Sequence, residues 1–123
     1  KLIGKGTDPH RKIGWMVRAG TSDDAAHISE VVHGDGMTVL QWRRLRGAHM
    51  RDPQDELFSR KTHAEIIQLE RVGKTYIMRI ANPGEPLQEI GSTDAVDIPD
   101  EALAGLIMCS QCRKNMMVTG MEY

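Results

Sequence analysis

The chain has 123 residues, 16 Lys and Arg against 17 Asp and Glu, and a formal net charge of -1, so no global field draws it toward nucleic acid or an anionic membrane. This length suits a single domain with its own core, and no apolar run approaches the roughly 20 residues that cross a bilayer. We therefore expect one domain over residues 1–123, with no nucleic-acid partner, no membrane insertion and no cofactor.

Lys1-Leu-Ile-Gly4 is strand-like and opens without a methionine. The natural start, with any export signal, is thus expected to lie upstream, and localisation stays open, a secreted or periplasmic setting being compatible with that. Thr7 to Lys12 is a polar turn in which Pro9 disfavours regular pairing, and Ile13-Gly-Trp-Met-Val-Arg18 follows as a strand. After the turn cluster Ala19 to Asp24, Ala26 to Val32 is again extended. His33-Gly-Asp-Gly36 then reverses the chain into Met37 to Arg46, because Asp-Gly between two apolar runs is a strong hairpin signal. Gly47 to His63 reads as a long polar surface connection with a short helical turn near Gln54 to Phe58.

Glu65 to Ile80 is the most informative stretch. Ile67 and Leu69 share one parity while Gln68 and Glu70 take the other, and Thr75, Ile77 and Arg79 alternate with Tyr76, Met78 and Ile80. A period of two with Gly73 at the reversal predicts a hairpin, and the many β-branched residues argue against a helix. Asn82 to Pro86 is a turn, Leu87 to Gly91 pairs briefly, and Asp94 to Glu101 is a loop. The near-continuous apolar run Leu103 to Ser110 predicts a strand buried on both faces, and Met116 to Tyr123 a truncated last strand. Short strands separated by turn residues, with no long helical pattern, give an all-β antiparallel sandwich or barrel. With only five aromatic side chains, the eight methionines are expected to fill the core.

Four blocks occur in a familiar order: His10 to Arg18; His33-Gly-Asp-Gly36 with Leu40-Gln-Trp-Arg43; Ile67 to Gly73 with Tyr76 to Arg79; and Gly105 to Ser110. In these the chain resembles a bacterial family, the modules named for regulation of enolase within the concanavalin A-like lectin and glucanase superfamily. The resemblance spans nearly the whole chain. It implies a two-sheet jelly roll, without known catalysis, that binds glycans or neighbouring proteins. Such modules carry further strands before the position of Lys1, so the chain reads as the C-terminal part of one, with open sheet edges that self-association would cover. A homo-oligomer, a dimer at the simplest, is the expected assembly.

Cys109-Ser-Gln-Cys112 is a C-x-x-C without a second ligand pair, and a buried thiol plus a loop thiol is favoured over a metal or redox site. The histidines at 10, 27, 33, 49 and 63 lack the spacing that sets two imidazoles on one face, so no metal site is expected. Glycoside hydrolysis needs two facing carboxylates, and neither Asp94 and Asp97, Asp100 and Glu101, nor Glu65 and Glu70 stand at alternate positions of an apolar strand. Catalytic residues are therefore not expected, and hydrolysis trails as a reading.

What remains is a binding face. Trp42 and Arg44 share one parity of their strand and Gln68 and Glu70 one parity of the hairpin; with Arg18 they form the expected glycan-binding set. An indole stacks on axial hydrogens of a sugar, and guanidinium, amide and carboxylate groups pair with its hydroxyls. Trp15 is expected in the core, whereas Trp42 can serve as either core or stacking ring. Arg43, Arg44, Arg46 and Arg51 form a local basic cluster that could hold an anionic partner.

Overall fold

The computed structural model describes residues 2–3, 9–49, 55–61, 63–109 and 120–121. Among them the chain is all β: β1 (Leu2–Ile3), β2 (Lys12–Arg18), β3 (His27–His33), β4 (Met37–Arg43), β5 (Glu56–Lys61), β6 (Ile66–Val72), β7 (Thr75–Ala81), β8 (Gln88–Thr93), β9 (Leu103–Cys109) and β10 (Gly120–Met121). Every pairing is antiparallel, and the strands form a five-stranded sheet in the order β5-β4-β3-β2-β9, a three-stranded sheet β6-β7-β8, and the short pair β1-β10. No described helix is long and apolar enough to cross a membrane.

Both hairpins read from the sequence form where expected. Val72 pairs with Thr75, leaving Gly73 and Lys74 as a two-residue loop in which Gly73 alone takes a positive φ of 61°, the geometry that matches the twist of the flanking strands. At the other hairpin Gly36 has φ 88°, and the Asp35 carboxylate accepts the Met37 N–H at 3.0 Å.

The two larger sheets pack as a sandwich. Alternation along β3 and β4 sends Ile28, Leu40 and Trp42 inward, where they meet Tyr76, Met78 and Ile80 of β7. Leu57, Ile67, Leu69 and Ile90 close the sides of this core. Strand β6 lies over β3 and β8 over β5, so the small sheet covers one side of the large one, and no β9 side chain belongs to the core cluster. The loop between β8 and β9 then returns the chain, burying Val96 and Ile98 at the end of the core. It is pinned there by the Asp97 N–H to the Arg44 carbonyl at 2.8 Å and by Arg71, which donates to the Ile98 and Pro99 carbonyls.

Four expectations change. The connection from Gly47 to His63 contains an edge strand, β5, whose Leu57 serves the core; the polar residues around it hid the alternation. The apolar run Leu103 to Cys109 is not doubly buried: β9 is an edge strand, and the strand buried on both faces is β3. Strand β3 is central, with two strands on each side, and the small sheet covers the face that carries Ile28 and Glu30, a property of topology rather than of composition. The pairing of Leu87 to Gly91 extends to Thr93 as a regular strand. Methionine divides its service, Met78 being fully buried and Met108 exposed. Of the expected last strand, Gly120 and Met121 pair with β1, and the rest of Met116 to Tyr123 lies outside the described residues, as does Cys112.

Gly14 shows how tightly β2 and β3 are drawn together, since a Cβ there would run into the Glu30 carbonyl oxygen, whereas one on Gly105 of β9 would meet nothing within 4 Å. Gly14→Ala should therefore cost about 3 kcal/mol or more through forced backbone displacement. Gly105→Ala should stay within about 0.5 kcal/mol, and urea denaturation midpoints of the two variants check the contrast.

Candidate functional site

The residues singled out from the sequence do not converge. Trp42 is 3 % exposed, belongs to the core cluster and stands opposite Ile28, so its ring offers no platform to a sugar. Arg44 pairs with Asp55, Nε to Oδ1 at 2.6 Å, beside an open cleft of about 640 Å³ whose lining mixes Lys74 with Asp94, Asp97 and Asp100. Arg18 is spent on its own turn, donating to the carbonyls of Gly20 at 3.1 Å and Ser22 at 2.6 Å. Arg43 likewise donates to the carbonyls of Asp23 and Ala48, and Arg46 pairs with Asp24. The local basic cluster is thus satisfied within the molecule as far as the described residues go, and Arg51 lies outside them.

Gln68 and Glu70 do share a surface, the outer face of the small sheet, and the structure adds two groups to them. Arg79 sits between strands β6 and β8, donating to Gln68 Oε1 at 3.0 Å and lying 3.6 Å from Glu70 Oε1 and 3.6 Å from Glu89 Oε1. Arg79 is missed as a site residue in the sequence because its pairing partners are set by register. The face holds donors and acceptors but no ring, Tyr76 of the middle strand pointing into the core.

The exposed indole is Trp15, 42 % accessible, where the sequence suggested core. Its parity is the inward one, shared with Ile13, which is buried, and Val17, which packs against the core, yet Trp15 itself is left uncovered. Beside it in register lies Leu106, and Met108 stands opposite Ile13; these two β9 side chains are 47 % and 52 % exposed. Leu103, on the other parity of β9, is 51 % exposed. The result is an apolar margin along one side of the large sheet.

Among the described residues that margin is also the one edge of the two larger sheets without a charged side chain or a register break. At the far edge β5 carries Glu56 and Arg60 and a register break between Met37 and Val39 of its neighbour. In the small sheet β6 carries Glu70 and Arg71, and the pairing of β8 breaks register between Met78 and Arg79. Charge and irregularity of this kind keep an edge from pairing with another chain. Strand β9, Leu-Ala-Gly-Leu-Ile-Met-Cys, has no charge and no proline, and its register with β2 runs unbroken from Lys12 to Arg18.

Inward from Trp15, and paired with it on β3, is Glu30, with no exposed surface. Burial pushes its carboxyl up to about 9, and the Gln68 backbone N–H in the facing sheet opposes this only weakly, since neither carboxylate oxygen closes a hydrogen bond. Glu30 is neutral near pH 7. The alternation Ile28, Glu30, Val32 signals an inward carboxyl in the sequence, but burial of this depth needed the second sheet. No second carboxylate accompanies it as a catalytic partner on β3, and among the described residues no three His, Cys, Asp or Glu side chains converge as a metal-binding set.

No family model matches the chain, and neither a curated protein nor a solved structure does.

A proton held by folded Glu30 but released by the unfolded chain, whose carboxyl titrates near 4.5, stabilises the fold fully below pH 4.5 and progressively less as pH rises toward 9. The loss is at most about 1.4 kcal/mol per pH unit. Glu30→Gln should remove this component, so the stability difference between variant and wild type should grow in the variant's favour as pH rises through that window. Parallel stability profiles for the two proteins would contradict it.

Proposed function

We propose that the chain is a non-catalytic β-sandwich interaction module that self-associates through β9. The single observation that carries this reading is the unguarded edge: an uncharged, unbroken strand flanked by exposed Trp15, Leu106 and Met108, where the other edges of the two larger sheets bear charges or register breaks. The occupant that fits is a second copy of the same strand. Antiparallel pairing centred on Leu106 would set Ala104 opposite Met108 and Gly105 opposite Ile107 of the second copy, apolar against apolar with no like charges facing. It would also join the two Trp15–Leu106–Met108 patches into one band and continue the large sheet across a two-fold axis, the symmetry most common in such assemblies.

The kinship with regulation-of-enolase modules remains part of the proposal. It is supported by the order of the sequence blocks and by the packing of two antiparallel sheets, and the jelly-roll winding is inferred from the same kinship. A bacterial, exported setting is inferred with it.

Leu106→Lys places a charge at the centre of the edge without touching the core, and Gly105→Ala serves as a benign control. Light scattering coupled to size exclusion should give a dimer mass for the wild type and the control at micromolar concentration and a monomer mass for Leu106→Lys. A wild type that stays monomeric throughout that range rejects self-association.

A second reading is glycan binding by the outer face of the small sheet, favoured by the array of Gln68, Glu70, Arg79 and Glu89. Without a ring on that face, recognition rests on hydrogen bonds to hydroxyls and is weak. On this reading a glycan array should show millimolar binders that Arg79→Ala abolishes and Trp42→Phe leaves unchanged; no binder at millimolar sugar removes it.

A further inference from the structure

At the end of the sandwich opposite the β8–β9 loop, the turn between β3 and β4 meets the crossover from β5 to β6. Between them is a pocket of about 210 Å³ lined by Arg11, Val32, Gly34, Gly36, His63 and Glu65, among others. This volume is below that of pockets for nucleotide-sized or drug-sized ligands and accommodates a small ion with a few waters.

Arg11 is the unusual member. Its Nε and Nη1 are both shut off from solvent, and neither has a hydrogen-bond acceptor. A guanidinium is never neutral in a protein, so donors buried without a partner carry a desolvation cost that nothing in the fold offsets. Arg18, Arg43, Arg44, Arg46, Arg71 and Arg79, by contrast, each donate to at least one carbonyl or carboxylate oxygen.

The second observation concerns His63. It is the one non-glycine residue among the described ones with positive φ, 49°, a left-handed conformation of the kind that gathers at binding sites. The surroundings hold it there: its N–H donates to the Gly36 carbonyl at 3.0 Å, and its ring lies so close over Gly36 that a Cβ on that residue would stand 2.5 Å from Nδ1. Gly36 is therefore required twice, for its own φ of 88° and for the imidazole packed against it. Glu65 lines the same pocket with an exposed side chain, and no ion pair joins it to Arg11 among the described residues.

We infer that this pocket binds a small oxyanion, a phosphate or a carboxylate, through the fork of Arg11, with the imidazole of His63 as the second contact. Paired oxygens of such a group accept two N–H donors along one edge of the planar guanidinium in charge-assisted bonds, a match that a single chloride ion does not offer and a neutral sugar makes without the charge. Glu65 at the rim disfavours polyanions, so the ligand carries little charge beyond the group that Arg11 reads.

Isotope-labelled protein titrated with inorganic phosphate, with acetate and with sodium chloride at matched ionic strength tests the inference, read at the Arg11 Nε–H and the His63 ring. Saturable shifts with phosphate or with acetate, and none with chloride, are expected; which of the two saturates identifies the anion. Arg11→Gln should raise the dissociation constant at least about tenfold, the effect of losing one charge-assisted pair. Arg11→Lys keeps the charge without the fork and should fall between them. Shifts that track ionic strength alone, or wild-type affinity in a folded Arg11→Gln protein, would overturn it.

Discussion

The burial of β7 against β4, with Tyr76, Met78 and Ile80 on one side and Leu40, Trp42 and neighbouring Ile28 on the other, is the contact on which everything else depends. Three strands placed over five cannot cover all of them. With β6 over β3 and β8 over β5, the shortfall shows at Trp15 of β2 and at Leu106 and Met108 of β9. One packing decision thus creates both the dry core and the apolar margin beside it, and the same alternation that makes Val17 a core residue leaves Trp15 in solvent.

That geometry also explains the unequal treatment of polar groups. Glu30 faces inward from the strand that is covered on both sides, where a carboxyl is retained only by keeping its proton. Arginines near the turns find carbonyls and carboxylates within a few residues or across one loop, and they act as staples. Arg11 lines a pocket at one end of the sheets, and its buried Nε and Nη1 have no acceptor. Buried polar atoms without a partner thus occur both in the core, at Glu30, Thr38, Trp42 and Tyr76, and at this end of the sandwich, at Arg11 and His33.

Much of this was legible beforehand. Alternation and turn chemistry placed the hairpins about Gly36 and Gly73, the polarity of Gln68 and Glu70, and the absence of long helix, since each depends on residues within a few positions of one another. The glycan-binding set was legible only as parity. Parity orders the residues within each strand; strand register was needed to set Trp15 and Trp42 on the same side of the sheet, and the second sheet to cover Trp42 alone. Trp15, expected in the core, is exposed, and Trp42, for which core and stacking ring were both open, lies in the core. Strand β9 is a similar case: an uninterrupted apolar run fits a central strand or a sticky edge equally well, and only sheet order separates the two.

By itself, then, the sequence determined the class of backbone, the positions of the reversals and the side on which each residue of a strand projects, because pleat and turn geometry are local. Tertiary structure alone decided which projections end in the core, that β3 and not β9 is buried on both faces, and that Arg11, Gly36 and His63 meet at one pocket. Those outcomes depend on long-range pairing and on the unequal widths of two stacked sheets, neither of which is encoded within any single stretch of chain.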